Sequence, residues 1–219
     1  MRFLLSLLLL LGALLASYHA PAAPPRLAAL RPRLATLPDS TQVDELRNVI
    51  TSSAEAGDFA QARRALHLAD SVAQASARPE LLGSVALSAG YLANALGDFP
   101  HALASYQRAL DLARRAGNVR RQVRALVRLG TTSAQAANYP AATRYLQQAL
   151  ALAQRQHLRS SEADTYSELA NLADRQHQPA QAQAYNDRAL AIYKADANWG
   201  QYYIGLLNQG IHLKNLGRL

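Results

Sequence analysis

One turn sequence recurs four times in this chain at a constant stride of 40 residues. Gly57-Asp58-Phe59-Ala60-Gln61-Ala62 returns as Gly97-Asp98-Phe99-Pro100-His101-Ala102 and as Ala137-Asn138-Tyr139-Pro140-Ala141-Ala142. The fourth copy is His177-Gln178-Pro179-Ala180-Gln181-Ala182, and one more step reaches Gly217. A repeat of this length is one supersecondary unit that cannot bury its apolar face alone, so the units must stack. No insertion interrupts the stride, which leaves little freedom for any other architecture.

The text around each turn is helical. Downstream, Ala62, Leu66 and Ala69 recur as Ala102, Tyr106 and Ala109, as Ala142, Leu146 and Ala149, and as Ala182, Asn186 and Ala189. Spacings of four and three place these side chains on one helix face. Upstream, a small residue stands seven before the turn in four cases, Gly90, Gly130, Ala170 and Gly210, with Ile50 in the first copy. Small residues there let two helices approach closely. Gly or Asn at the turn suits the left-handed backbone that closes a first helix. Asp58, Asp98 and Asn138 are placed to cap the second helix, and Pro100, Pro140 and Pro179 fall in its first turn, where a missing N–H costs nothing.

These signals predict helices at about 41–56, 59–76, 80–96, 100–116, 119–137, 140–156, 160–175, 179–194 and 199–216, with ends good to ~2–4 residues. The units are then 41–76, 80–116, 119–156, 160–194 and an incomplete 199–219, within a repeat array spanning 40–219. Composition agrees: half the chain is hydrophobic, but the excess is Ala and Leu, the strongest helix formers. Asn186 stands where a large apolar residue is expected, which predicts a looser fourth hairpin.

The Gly-Asp-Phe/Tyr turn, the small residue seven earlier and the later small–large–small series resemble the tetratricopeptide repeat (TPR) family. That resemblance implies a right-handed superhelical solenoid, all-α, whose first helices line a concave groove for a protein or peptide. The stride of 40 exceeds the ~34 usual for that family, so each hairpin should carry longer helices. The family's aromatic near the start of the first helix is mostly replaced, with Ala86 and Leu126 there and an aromatic at Tyr166.

Residues 1–22 read as a secretory signal peptide. Arg2 is followed by an apolar run from Phe3 to Ala16, and Ala20-Pro21-Ala22 supplies small residues for cleavage. Residues 23–39, with Pro24, Pro25, Pro32 and Pro38, read as an extended lead. The expectation is an exported, extracytoplasmic array. Helix 199–216 is too apolar for a solvating cap and enters the turn sequence Gly217-Arg218-Leu219, so these residues are expected to be the amino-terminal part of a longer polypeptide. An array of this stride behind a signal peptide is similar to the sensor regions of bacterial membrane histidine kinases. That likeness implies a two-component signalling role, with any membrane attachment and kinase module lying beyond residue 219. A free periplasmic adaptor that assembles complexes is the alternative.

Catalytic and cofactor motifs are missing. There is no Gly-x-Ser-x-Gly, His-Glu-x-x-His, phosphate loop or Gly-x-Gly-x-x-Gly, and no cysteine. No enzyme, cofactor or metal is therefore expected in this stretch. The net charge of +8 is carried mainly by scattered arginines rather than a basic run, which argues against nucleic acid.

One charged constellation stands out. Arg121, Arg124 and Arg128 share a helix face, and one stride after the last two come Asp164 and Glu168. Neighbouring helices pack ~8–10 Å apart, within reach of a long side chain. Two readings follow: inter-repeat ion pairs Arg124–Asp164 and Arg128–Glu168, or reception of a ligand carboxylate by Arg124 and Arg128 with Asn171 beside them. By the same register Ser84, Leu87, Ser88, Tyr91 and Asn94 should line the groove, with Leu207, Asn208, Ile211 and Lys214 in the last unit.

Overall fold

The computed structural model describes residues 27–215. Residues 1–22, read from the sequence as a signal peptide, and the turn residues at Gly217 lie outside them. Among the described residues there are ten helices and no strand. They run α1 (Leu27–Leu34), α2 (Asp39–Glu55), α3 (Phe59–Ser76), α4 (Pro79–Ala95), α5 (Phe99–Arg115), α6 (Val119–Gln135), α7 (Tyr139–Arg155), α8 (Arg159–Arg175), α9 (Pro179–Ala195) and α10 (Trp199–Asn215). The nine predicted helices all form, and their elbows fall at residues 57, 97, 137 and 177 as the stride requires. The architecture is the superhelical solenoid expected.

The structure adds a half-stride to the repeat. Backbone φ is positive at Gly57, Ala77, Gly97, Gly117, Ala137, His157, His177 and Ala197, one residue in every 20. Elbows within hairpins and elbows between hairpins thus share one geometry. At seven of the eight, two hydrogen bonds close the preceding helix, as where Gly97 N–H donates to Asn94 O and Asp98 N–H to Ala93 O. The following residue then starts the next helix. Asp58, Asp98 and Asn138 accept from the third residue onward as expected, and Asn118 and Asn198 do the same for α6 and α10.

Close approach at the small residues is direct. A Cβ on Gly90 would lie 2.5 Å from the Tyr106 ring, and one on Gly130 2.6 Å from Leu146 Cγ. Tyr106 and Leu146 are almost fully buried; such burial contributes ~1.5–3 kcal/mol for a Leu-sized side chain. Ala62, Ala102, Ala142 and Ala182 are completely buried at the matching positions of the second helices. Gly210 differs, with nothing within 4 Å of its would-be Cβ.

Two expectations need correction. The lead is not extended throughout: residues 27–34 form α1 despite the internal Pro32. Leu27 and Leu34 bury against the first hairpin, and Leu27 N–H donates to Gln61 Oε1, whose amide in turn donates to Ser53 Oγ. Tertiary burial and a borrowed cap overcome the proline. Nor does Asn186 sit loosely in the fourth hairpin. It is fully buried, and its Nδ2 donates to Gly205 O at 2.9 Å, tying α9 to α10.

Candidate functional site: a basic groove on the first helices

Along the stack α2, α4, α6, α8 and α10 are the first helices of successive units, and α2 packs on α4 while α6 packs on α8. Their shared face holds a groove of about 890 Å³, lined chiefly by Arg47 and Thr51 of α2, Leu87, Ser88 and Tyr91 of α4, and Arg121, Arg124, Val127 and Arg128 of α6. Its far side is Asp164, Ser167 and Glu168 of α8, with Tyr193 of α9. A smaller recess of about 340 Å³ adjoins it, and Glu168 lines both. The stride explains the lining: positions 47, 87, 127 and 167 all reach the groove, one per unit.

The expected ion pairs do not close. Among the described residues neither Arg124–Asp164 nor Arg128–Glu168 comes within 4.0 Å. The acids are held by other donors: Tyr193 Oη donates to Asp164 Oδ1 at 2.8 Å, and Asn171 Nδ2 to Glu168 Oε2 at 3.3 Å. Arg121 is engaged through Nη1, which donates to Glu80 O at 2.6 Å. Arg47 pairs with Asp44 at 2.9 Å, while its Nε is buried without a hydrogen-bond partner. The guanidiniums of Arg124 and Arg128 have neither a hydrogen bond nor an ion pair within the described residues.

Charge crowding follows. The Arg124 guanidinium is held below its ordinary range first by burial, then by Arg47, Arg128 and Arg121, with Asp164 opposing weakly. Its surface opens to the groove, but the recess around it removes enough water for like charges to be felt. The Tyr91 hydroxyl donates to Glu55 Oε1 at 3.3 Å, and burial, then Glu55, pushes its pKa up, with Arg128 acting the other way. Such a surface can hold an anion or carboxylate bidentately, because two guanidiniums gain partners they lack.

Of the residues foreseen for the groove, Leu87, Ser88, Tyr91, Arg124 and Arg128 are there. Asn171 lines the smaller recess instead. Asn94 faces the neighbouring unit, where its Oδ1 accepts from Thr132 Oγ1 at 3.1 Å. Ser84 is buried and donates to Glu80 O. Leu207 is 69% exposed on α10, and the Ile211 side chain lies outside the described residues. Trp199 packs edge-on against Tyr202, which joins the core, while Trp199 and Tyr203 remain largely exposed. Sequence reasoning missed Arg47 and Tyr193. The stride could have found Arg47, as it aligns with Leu87; Tyr193 belongs to a second helix, where no groove residue is looked for.

The tetratricopeptide repeat family model matches residues 81–155 and 121–195, together more than half of the chain. The chain belongs to the tetratricopeptide repeat family. Solved structures agree on the fold. BtubC from P. vanneervenii superposes with a TM-score of 0.69 at 21% identity, over 90% of this chain and 82% of that one. A signal transduction ATPase with numerous domains from Pyrococcus horikoshii, which carries a tetratricopeptide repeat sensor, gives 0.69 at 16% identity. The match takes in 84% of this chain and 28% of that one. A Rap protein complexed with Competence and Sporulation Factor gives 0.59 at 14%, over 83% of this chain and 56% of that one. This TPR chain thus spans less than two thirds of the latter two. No curated protein matches it in sequence.

Proposed function

We propose that this TPR array is an extracytoplasmic scaffold that holds a protein or peptide in its first-helix groove, with an acidic group of the guest on Arg124 and Arg128. The observation that carries the reading is a pair of guanidiniums that share a groove, repel one another and have no hydrogen-bond or ion-pair partner among the described residues. Neutral or positive guests gain nothing from such a surface; a carboxylate relieves the repulsion. The Rap relative's complex with Competence and Sporulation Factor adds an instance of this architecture holding a partner. We assign these residues no catalytic role.

The same reading makes the array the sensing part of a longer two-component histidine kinase, supported by the signal-peptide sequence and by the sensor named in the Pyrococcus relative. A stand-alone periplasmic adaptor is the second reading, favoured by the likeness to BtubC, most of whose length this chain spans. Reading the gene past codon 219 for a membrane span and kinase motifs separates the two.

Binding is tested with a fluorescein-labelled tetraglutamate peptide, followed by anisotropy, against a tetraglutamine control. The chain is expected to bind the acidic peptide, more weakly as salt is raised, and R124A/R128A to lose at least tenfold in affinity. Equal affinity of the two peptides, or no effect of the double substitution, overturns the reading.

A further inference from the structure

Asp164 follows Arg124 by one stride, carries the opposite charge and lines the same groove, yet no ion pair forms. Asp164 accepts instead from Tyr193. Its hydroxyl donates to Asp164 Oδ1 at 2.8 Å, and Ser167 Oγ lies 3.3 Å from the same phenol oxygen. A phenol has one proton, which points at the carboxylate, so the Ser167 hydroxyl must be the donor in the second bond. The phenol oxygen is thus fixed from both sides, and its ring is almost fully buried.

The repeat register shows this to be a local departure. The positions matching Tyr193 are Ala73, Ala113 and Ala153, all buried alanines. Those matching Ser167 are Arg47, Leu87 and Val127. A large aromatic with a hydrogen-bonding end therefore enters in the one unit whose first helix places both Asp164 and Glu168 in the groove, together with a small polar residue that bonds to it. Packing alone does not call for the hydroxyl.

We propose that Tyr193 is a positioning residue for the groove: it keeps the Asp164 carboxylate turned away from Arg124, so that the guanidinium stays open to the guest. The proposal rests on the reading that Arg124 and Arg128 receive an acidic group. Without the hydroxyl, Asp164 becomes an internal competitor for the ligand's place.

Two measurements on the full chain test this. The first needs no ligand: a crystal structure of Y193F should bring Asp164 and Arg124 within 4.0 Å, while the wild type keeps them apart. The second uses the tetraglutamate probe. Y193F should weaken binding at least threefold, and adding D164N should restore wild-type affinity, since an amide does not neutralise a guanidinium. D164N alone should bind as tightly as wild type or more so. An unclosed pair in Y193F overturns the proposal. So does a weakening that D164N fails to rescue, which would mark the hydroxyl as structural support. Failure of the wild type to prefer tetraglutamate, with the pair closing in the Y193F crystal, would instead sink the functional reading and leave the positioning role standing.

Discussion

In the second and third hairpins the two helices meet across a glycine; in the fourth they meet across an alanine. Gly90 leaves room for the ring of Tyr106, and Gly130 for Leu146. Ala170 stands at the same place, and the residue in register with Tyr106 and Leu146 is Asn186. As the small residue gains a methyl, its opposite number shrinks. The seam offsets part of that loss with the methyl and changes its chemistry, since Asn186 buries an Oδ1 without a hydrogen-bond partner among the described residues while its Nδ2 reaches Gly205 O. A buried, half-satisfied amide is costly, so this seam is filled at the expense of polar satisfaction. Beyond it α10 presents Trp199, Tyr203, Ile204 and Leu207 to solvent, whereas among the described residues of the second and third hairpins Leu96 is the one large hydrophobic that is exposed.

The largest effect should come from closing a glycine seam. Gly130→Ala puts a methyl against Leu146 Cγ and within 3.3 Å of Ala142 O, and is expected to destabilise by about 1–3 kcal/mol in urea unfolding. Neutrality would mean the hairpin has slack. In the fourth hairpin Asn186→Leu should cost a similar 1–3 kcal/mol, roughly, because Ala170 already fills the space. Adding Ala170→Gly should return part of that loss. Additive losses would break the volume argument.

Burial of Tyr106 gives the glycine seam a pH signature. Its hydroxyl is pushed up from 10.0 to about 12, first by burial. The folded state then holds a proton that the unfolded chain releases near pH 10, so the stabilisation is complete below pH 10 and is lost as pH rises toward 12. Thermal unfolding midpoints should fall across that window, and fall less in Tyr106→Phe.

Elbows give the smallest effect. The second hairpin turns on Gly97 and the third on Ala137, both at positive φ. Ala137→Gly relieves left-handed strain against a gain in unfolded-chain freedom, for a net stabilisation of about 0.5–1 kcal/mol. Gly97→Ala should lose a comparable amount. Equal midpoints for both would show that the closing hydrogen bonds, rather than the residue, fix the elbow.

Most of the fold was legible because a stride of 40 shows in one-letter text wherever turn residues recur. The breaks between hairpins were legible at 77–79, 117–118, 157–159 and 195–198, but the geometry they share with the elbows within hairpins was not, because Ala77, His157 and Ala197 carry left-handed backbone without a residue that advertises it. Helix α1 escaped for a related reason: Leu27, Leu34 and Gln61 tie it to the first hairpin, while Pro24, Pro25, Pro32 and Pro38 within and around it signal an extended lead. At the groove, register put Arg124, Arg128, Asp164 and Glu168 on the face where the structure has them lining one cavity. It could not say which donors those carboxylates would choose, since Tyr193 approaches from a second helix and Asn171 from one turn along α8.

The central claim is that Arg124 and Arg128 serve a guest and not the fold. Thermal unfolding of R124A/R128A at low salt tests it most directly. Relief of repulsion among unpaired guanidiniums should leave the midpoint unchanged or raise it slightly. A drop of more than about 4 °C, roughly 1–2 kcal/mol for a chain of this size, would mean that both arginines hold neighbouring units together, and the account would be wrong.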